Sequence, residues 1–125
     1  MSMNFFWVAL GGALGSVLRY ALGLRFPILP GQWPWATFGI NTLGCLLIGM
    51  LWAYVERSST LSPVVRPLLM VGVLGGFTTF STFGLESLLI WRNGQPTMAV
   101  AYMAASMIGC LLLAAAGAAF VERWL

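Results

Sequence analysis

Long apolar runs, cut by short polar punctuation, make up almost the whole chain. The first run covers about residues 4–23 and holds Arg19 near its end. Residues 24–34 contain Pro27, Pro30, Gly31 and Pro34 and read as a loop, because proline has no N–H to give a helix interior. The second run, about 35–55, is bracketed by Trp33, Trp35, Trp52 and Tyr54, rings suited to headgroup depth. A Ser-rich loop at 56–66 leads to Pro67 and a third run at 67–91. After the turn signal Arg-Asn-Gly-Gln-Pro at 92–96, a fourth run covers 97–121 and closes on Glu122, Arg123 and Trp124. A helix needs roughly 20 apolar residues to cross a bilayer. The pattern therefore predicts an all-α integral membrane protein: one four-helix domain over 1–125, with neighbouring helices antiparallel because the loops are short. The Met-Ser-Met-Asn start lacks a basic region and no A-x-A cleavage signal follows, so the first run reads as a retained span.

Composition sharpens this. Of 125 residues, 60% are apolar and 7% charged, against roughly 45–50% and 25% in soluble domains. A soluble enzyme, a disordered tail and a nucleic-acid binder are excluded. The net charge of +3 is too small and scattered to form a polyanion-binding patch. Histidine is absent, and Cys45 and Cys110 sit inside separate spans, so zinc and iron–sulfur centres lack ligands and the thiols read as packing residues.

The basic residues also bear on orientation. With four spans, both termini and the 56–66 loop share one side, which carries Arg57, Arg66 and Arg123. The other side carries Arg25 and Arg92, with Arg19 at the boundary. The positive-inside rule needs an excess on one side, and there is almost none. Either the chain inserts both ways round and pairs as an antiparallel, dual-topology homodimer, or a weak bias orients every copy. Small residues (Gly11/Gly15 and Gly12/Ser16 in the first span; Gly39, Gly44 and Gly49 in the second; Gly109 and Gly117 in the fourth) serve close packing within the chain or between copies.

The third span holds the stretch Gly-Val-Leu-Gly-Gly-Phe-Thr-Thr-Phe-Ser-Thr-Phe at 72–83. Two adjacent glycines cost about 2 kcal/mol of helix propensity against alanine, and hydroxyl side chains compete for backbone groups. This predicts a helix broken mid-membrane, its freed Gly75 and Thr78 carbonyls able to hold a bare cation; a continuous Gly/Thr-rich helix is the other reading. Phe80 and Phe83, three apart, share a face and offer positive ring edges to an anion, or simply pack. Thr79, Ser81 and Thr82 supply hydroxyl donors or bond back to the preceding turn. Asn41 must face the bundle interior, as an anion donor or as an interhelical hydrogen bond. Tyr102, Ser106 and Cys110 form a weakly polar stripe on one face of the fourth span. Arg19 can snorkel or line a vestibule; Glu86 pairs with an arginine or faces water.

Three motifs carry a family resemblance: Gly-Gly-Ala-Leu-Gly-Ser-Val-Leu-Arg-Tyr at 11–20, Thr-Phe-Gly-Ile-Asn-Thr-Leu-Gly at 37–44, and Gly-Gly-Phe-Thr-Thr-Phe-Ser-Thr-Phe at 75–83. In order, spacing and span count the chain resembles the Fluc (CrcB-type) fluoride channels. The resemblance implies a passive, fluoride-selective channel that sheds toxic fluoride across the cytoplasmic (inner) membrane of a microbe. It implies a dual-topology homodimer with two antiparallel pores. The residues matching Phe80 and Phe83 line those pores edge-on, Asn41 donates to fluoride, Tyr102 and Ser106 belong to a polar track, and Arg19 lies near the vestibule. A structural Na+ at the dimer centre is implied on the Gly75 and Thr78 carbonyls. Cys110 departs from a polar residue found in some relatives. The alternative is a small four-span, proton-coupled cation or drug exporter; it needs a carboxylate in the first span, which has none. A poreless structural subunit is a third class.

Overall fold

The computed structural model describes residues 2–58 and 62–124; residues 59–61 of the loop expected between the second and third spans lie outside them. The described residues form helices α1 (Ser2–Arg25) and α2 (Trp35–Arg57), a wide-turned π-helix π1 (Arg66–Leu74) continued by one α-turn α3 (Gly75–Phe77), then α4 (Phe80–Arg92) and α5 (Pro96–Trp124). Among the described residues, four stretches are long and apolar enough to cross a membrane, Met3–Arg25, Trp35–Arg57, Arg66–Arg92 and Pro96–Trp124. The shortest have 23 residues, roughly 35 Å of helix at 1.5 Å per residue. Large apolar side chains such as Leu14, Val17, Leu111 and Leu112 stay exposed, as lipid-facing positions do.

Turn chemistry sets the ends. Gly94, at φ +79°, takes the left-handed conformation that closes α4, and Pro96 opens α5 where its missing N–H costs nothing. Arg66 pairs with Glu56 across the described ends of the α2–π1 loop, an exposed ion pair worth about 0–1 kcal/mol.

Two closely packed helix pairs build the molecule: α1 against π1–α3, and α2 against α5, with α4 joining the second pair. Small residues let the backbones touch. A Cβ added at Gly72 would lie 2.9 Å from Gly11 Cα, and one at Gly76 would lie 2.6 Å from the Gly12 carbonyl. A Cβ on Gly49 would collide with the Ala114 carbonyl, and one on Gly117 with that of Leu46. Much of the glycine pattern thus serves packing within the chain, whereas Gly23 and Gly39 face open space. Gly49→Ala meets rigid backbone and is expected to cost about 1–3 kcal/mol, read as a lower thermal unfolding midpoint in detergent. An unchanged midpoint would contradict the tight α2–α5 crossing.

The compact centre is Phe83, Ile90, Ala99 and Tyr102, with Trp33, Phe38, Met98 and Met103 around it. It fixes α4 against α5 and so positions everything that follows.

Candidate ion pathway

The third span breaks at Thr78–Thr79, not at the glycine pair. Gly75 is helical (φ −65°, ψ −36°), whereas Thr78 (φ −80°, ψ 158°) and Thr79 (φ −151°, ψ 118°) are extended. The break falls inside the 72–83 stretch where it was expected, on its hydroxyl residues. Gly72 and Gly76 are used for the crossing with α1, which keeps them helical. The threonines can end one helix and begin the next: Thr78 Oγ1 donates to the Leu74 carbonyl (2.9 Å), and Thr79 Oγ1 caps α4 by accepting from the Thr82 N–H (3.2 Å). Thr79 Oγ1 also donates to Thr82 Oγ1 (3.0 Å) and stands 3.4 Å from Ser81 Oγ.

Asn41 holds the break. Its Oδ1 accepts from the Thr79 N–H (2.8 Å) and its Nδ2 donates to the Thr79 carbonyl (3.0 Å). One amide side chain thus pairs both backbone groups of an extended residue. Because the Thr79 and Thr82 N–H groups are taken by side chains, the Gly75 and Thr78 carbonyls lose the donors that an unbroken helix would give them. The Gly76 carbonyl is treated differently. Arg19 Nε donates to it at 3.0 Å, with Ser16 Oγ at 3.5 Å, placing a cation at the negative end of the first half-helix.

Two hollows flank this knot and share Thr79. The smaller, about 260 Å³, is walled by Arg19, Tyr20, Thr37, Thr82 and Glu86 among others. The larger, about 360 Å³, brings together Asn41, Phe80, Phe83 and Ser106, beside Gly75 and Thr78. Among the described residues, no charged side chain lines the larger one. Phe80 and Phe83 meet at 5.4 Å between ring centroids, but Phe83 is 8% exposed and Phe80 76% exposed. The Ser106 hydroxyl is buried and has no hydrogen-bond partner among the described residues. The expected stripe on α5 is therefore divided. Ser106 and Cys110 face the larger hollow, while Tyr102 is fully buried and turns its hydroxyl to Glu86.

Glu86 makes no ion pair with an arginine among the described residues, which removes that expectation. Its two carboxylate oxygens accept from Thr37 Oγ1 (2.6 Å) and from the Tyr102 hydroxyl (2.7 Å), tying α2, α4 and α5 together. Thr37 is the residue that sequence reasoning passed over. The available signal was its place one turn before Asn41, on the same face. Thr37→Val removes a hydrogen bond to a buried carboxylate and should cost about 1.5–3 kcal/mol, with Thr37→Ser restoring most of it. Equal unfolding midpoints for all three proteins would mean that the contact contributes nothing.

Fold and site together define a class: a small, four-span membrane protein whose broken third helix borders a neutral, donor-bearing cavity. Residues 6–118 match the family model described as CrcB-like protein, Camphor Resistance (CrcB). The chain is 45% identical over 122 residues to a fluoride-specific ion channel FluC of Chloroflexus aurantiacus, covering 97% of this chain and 96% of the relative. It is 44% identical over 121 residues to FluC of Stutzerimonas stutzeri, covering 94% and 95%. It is 41% identical over 120 residues to FluC 1 of Streptomyces coelicolor, covering 94% and 78%. The chain belongs to the CrcB family, as its motifs implied.

Proposed function

We propose that this chain is a fluoride-specific channel, passing fluoride passively out of a microbial cytoplasm as an antiparallel, dual-topology homodimer in the cytoplasmic membrane. The observation that carries the reading is the larger hollow, lined by Phe80, Phe83 and a Ser106 hydroxyl with no hydrogen-bond partner among the described residues, none of which brings a charge to its walls. Fluoride is small and strongly hydrated, so it enters only where donors replace its water. Ser106, the second amide hydrogen of Asn41 and the positive ring edges of Phe80 and Phe83 are such donors. None carries full charge, so the ion is admitted without being trapped. Arg19, at the smaller hollow, raises the local anion concentration. The relatives' names supply the choice of anion.

Pairing of two copies is supported by the break itself. Gly75 and Phe80 are exposed on the single chain, and lipid cannot satisfy freed backbone carbonyls. A second copy, turned head to foot, covers them, and the near-equal arginine count on the two sides permits that arrangement. The Gly75 and Thr78 carbonyls, both without helical donors, are neutral oxygens that fit a hard cation. A sodium ion bound there supplies a charge that offsets the carbonyl dipoles of both copies. The exporter alternative is not favoured, since α1 carries no Asp or Glu.

Purified protein in liposomes, followed with a fluoride electrode, is expected to release fluoride rapidly and chloride far more slowly. Chloride efflux as fast as fluoride efflux would overturn the proposal.

A further inference from the structure

The larger hollow also contains sulfur that fluoride passage does not use. Cys45 of α2 and Cys110 of α5 are free thiols, and both line it, with the thioethers of Met70 and Met107 on the same walls. Helix register explains why. Thr42 meets Gly109, Gly49 meets Ala114 and Met50 meets Gly117, so α2 and α5 run in the same direction. Cys45 and Cys110 each lie four residues before the Gly49–Ala114 backbone contact, hence one turn away on the same two faces. Helices pressed together at that contact hold the two thiols side by side.

Sulfur ligands select soft metals. Among the described residues no three His, Cys, Asp or Glu gather, so a four-coordinate zinc site is not available. Two thiols alone suit an ion content with two ligands. A divalent ion between two thiolates forms a neutral unit, which a low-dielectric cavity tolerates far better than a free charge.

We propose that Cys45 and Cys110 form a chelating site for a soft, two-coordinate d10 cation of the Hg2+ class, and that filling it obstructs the hollow. Binding breaks two S–H bonds and forms two S–Hg bonds. Two protons leave to water, and nothing is oxidised or reduced. Met70 and Met107 add weak sulfur contacts from the flanks. The obstruction rests on the fluoride-channel reading; the binding site does not.

The test uses the purified full chain and HgCl2. After HgCl2 in several-fold excess and a wash with excess glutathione, metal analysis is expected to find about one mercury per chain, because a chelate outcompetes separate monothiols. Thiol titration of the same wild-type sample should find both thiols blocked by that single ion. Cys45→Ala and Cys110→Ala should each retain at least about tenfold less, the equivalent of 1.4 kcal/mol. Fluoride efflux from liposomes should be blocked in the wild type and restored by dithiothreitol. Each variant should resist, measured against its own metal-free flux. Two mercury ions per wild-type chain, or wild-type retention by either variant, would overturn the site, and the wild-type titration decides even if a variant fails to fold. Retention without block would overturn the obstruction. Absence of any fluoride flux would instead refute the channel reading, while mercury retention still judges the site.

Discussion

Replacing Asn41 with alanine is expected to abolish fluoride flux and to lower the unfolding midpoint more than any other single change among the polar residues of the pathway. The amide is buried and makes two hydrogen bonds to Thr79, at 2.8 and 3.0 Å. Each buried backbone group left without its partner costs about 1–3 kcal/mol. Losing both therefore costs about 2–6 kcal/mol of a total stability of roughly 5–15 kcal/mol. Water cannot take over cheaply at this depth in a membrane. The change also removes an amide from the wall of the larger hollow. Thermal unfolding in detergent and efflux from liposomes measure the two consequences separately. An Asn41→Ala protein that unfolds with the wild type would show that the break is held by something else.

The second large effect concerns the phenylalanines. Phe80→Ile and Phe83→Ile keep apolar bulk and remove the ring edge, so fluoride flux should fall about tenfold or more, a barrier increase of at least ~1.4 kcal/mol, in at least one of them. Their stability costs should differ. Phe80 is 76% exposed on the single chain, so its replacement leaves the fold of one copy almost untouched. Phe83 packs against Tyr102, its ring tilted at 5.3 Å between centroids, and belongs to the compact centre, so its replacement should also lower the unfolding midpoint. Gel filtration establishes that each variant elutes with the wild type before flux is compared. Wild-type flux from both variants would reduce the rings to packing groups.

Several site features could be read before any fold was known, because they follow from one-dimensional cost. An amide in hydrocarbon must find a partner, so Asn41 could be placed inside the bundle. A cluster of Gly and Thr in an apolar run had to weaken the helix, so an interruption within 72–83 was foreseeable. The partners were not foreseeable. That Asn41 spends its donor and its acceptor on the one residue Thr79 depends on α2 crossing the third span at that height. Glu86 could be recognised as an ionisable group in a span, yet its neighbours are two hydroxyls from α2 and α5, not an arginine. Arg19 was available for that role and went to the Gly76 carbonyl.

The sequence by itself determined the number of spans, the even spread of arginines across the two sides and the family. Each of these is written in residue type and spacing along one dimension. Only the tertiary structure decided where the third span breaks, which of two hollows each donor faces, and that Cys45 and Cys110 stand together. The reason is physical. In a low-dielectric interior the position of a polar group is governed by whichever partner lies within about 3 Å, and Asn41 and Thr79, 38 positions apart, come that close only through the glycine-lined contacts that bring the helices together.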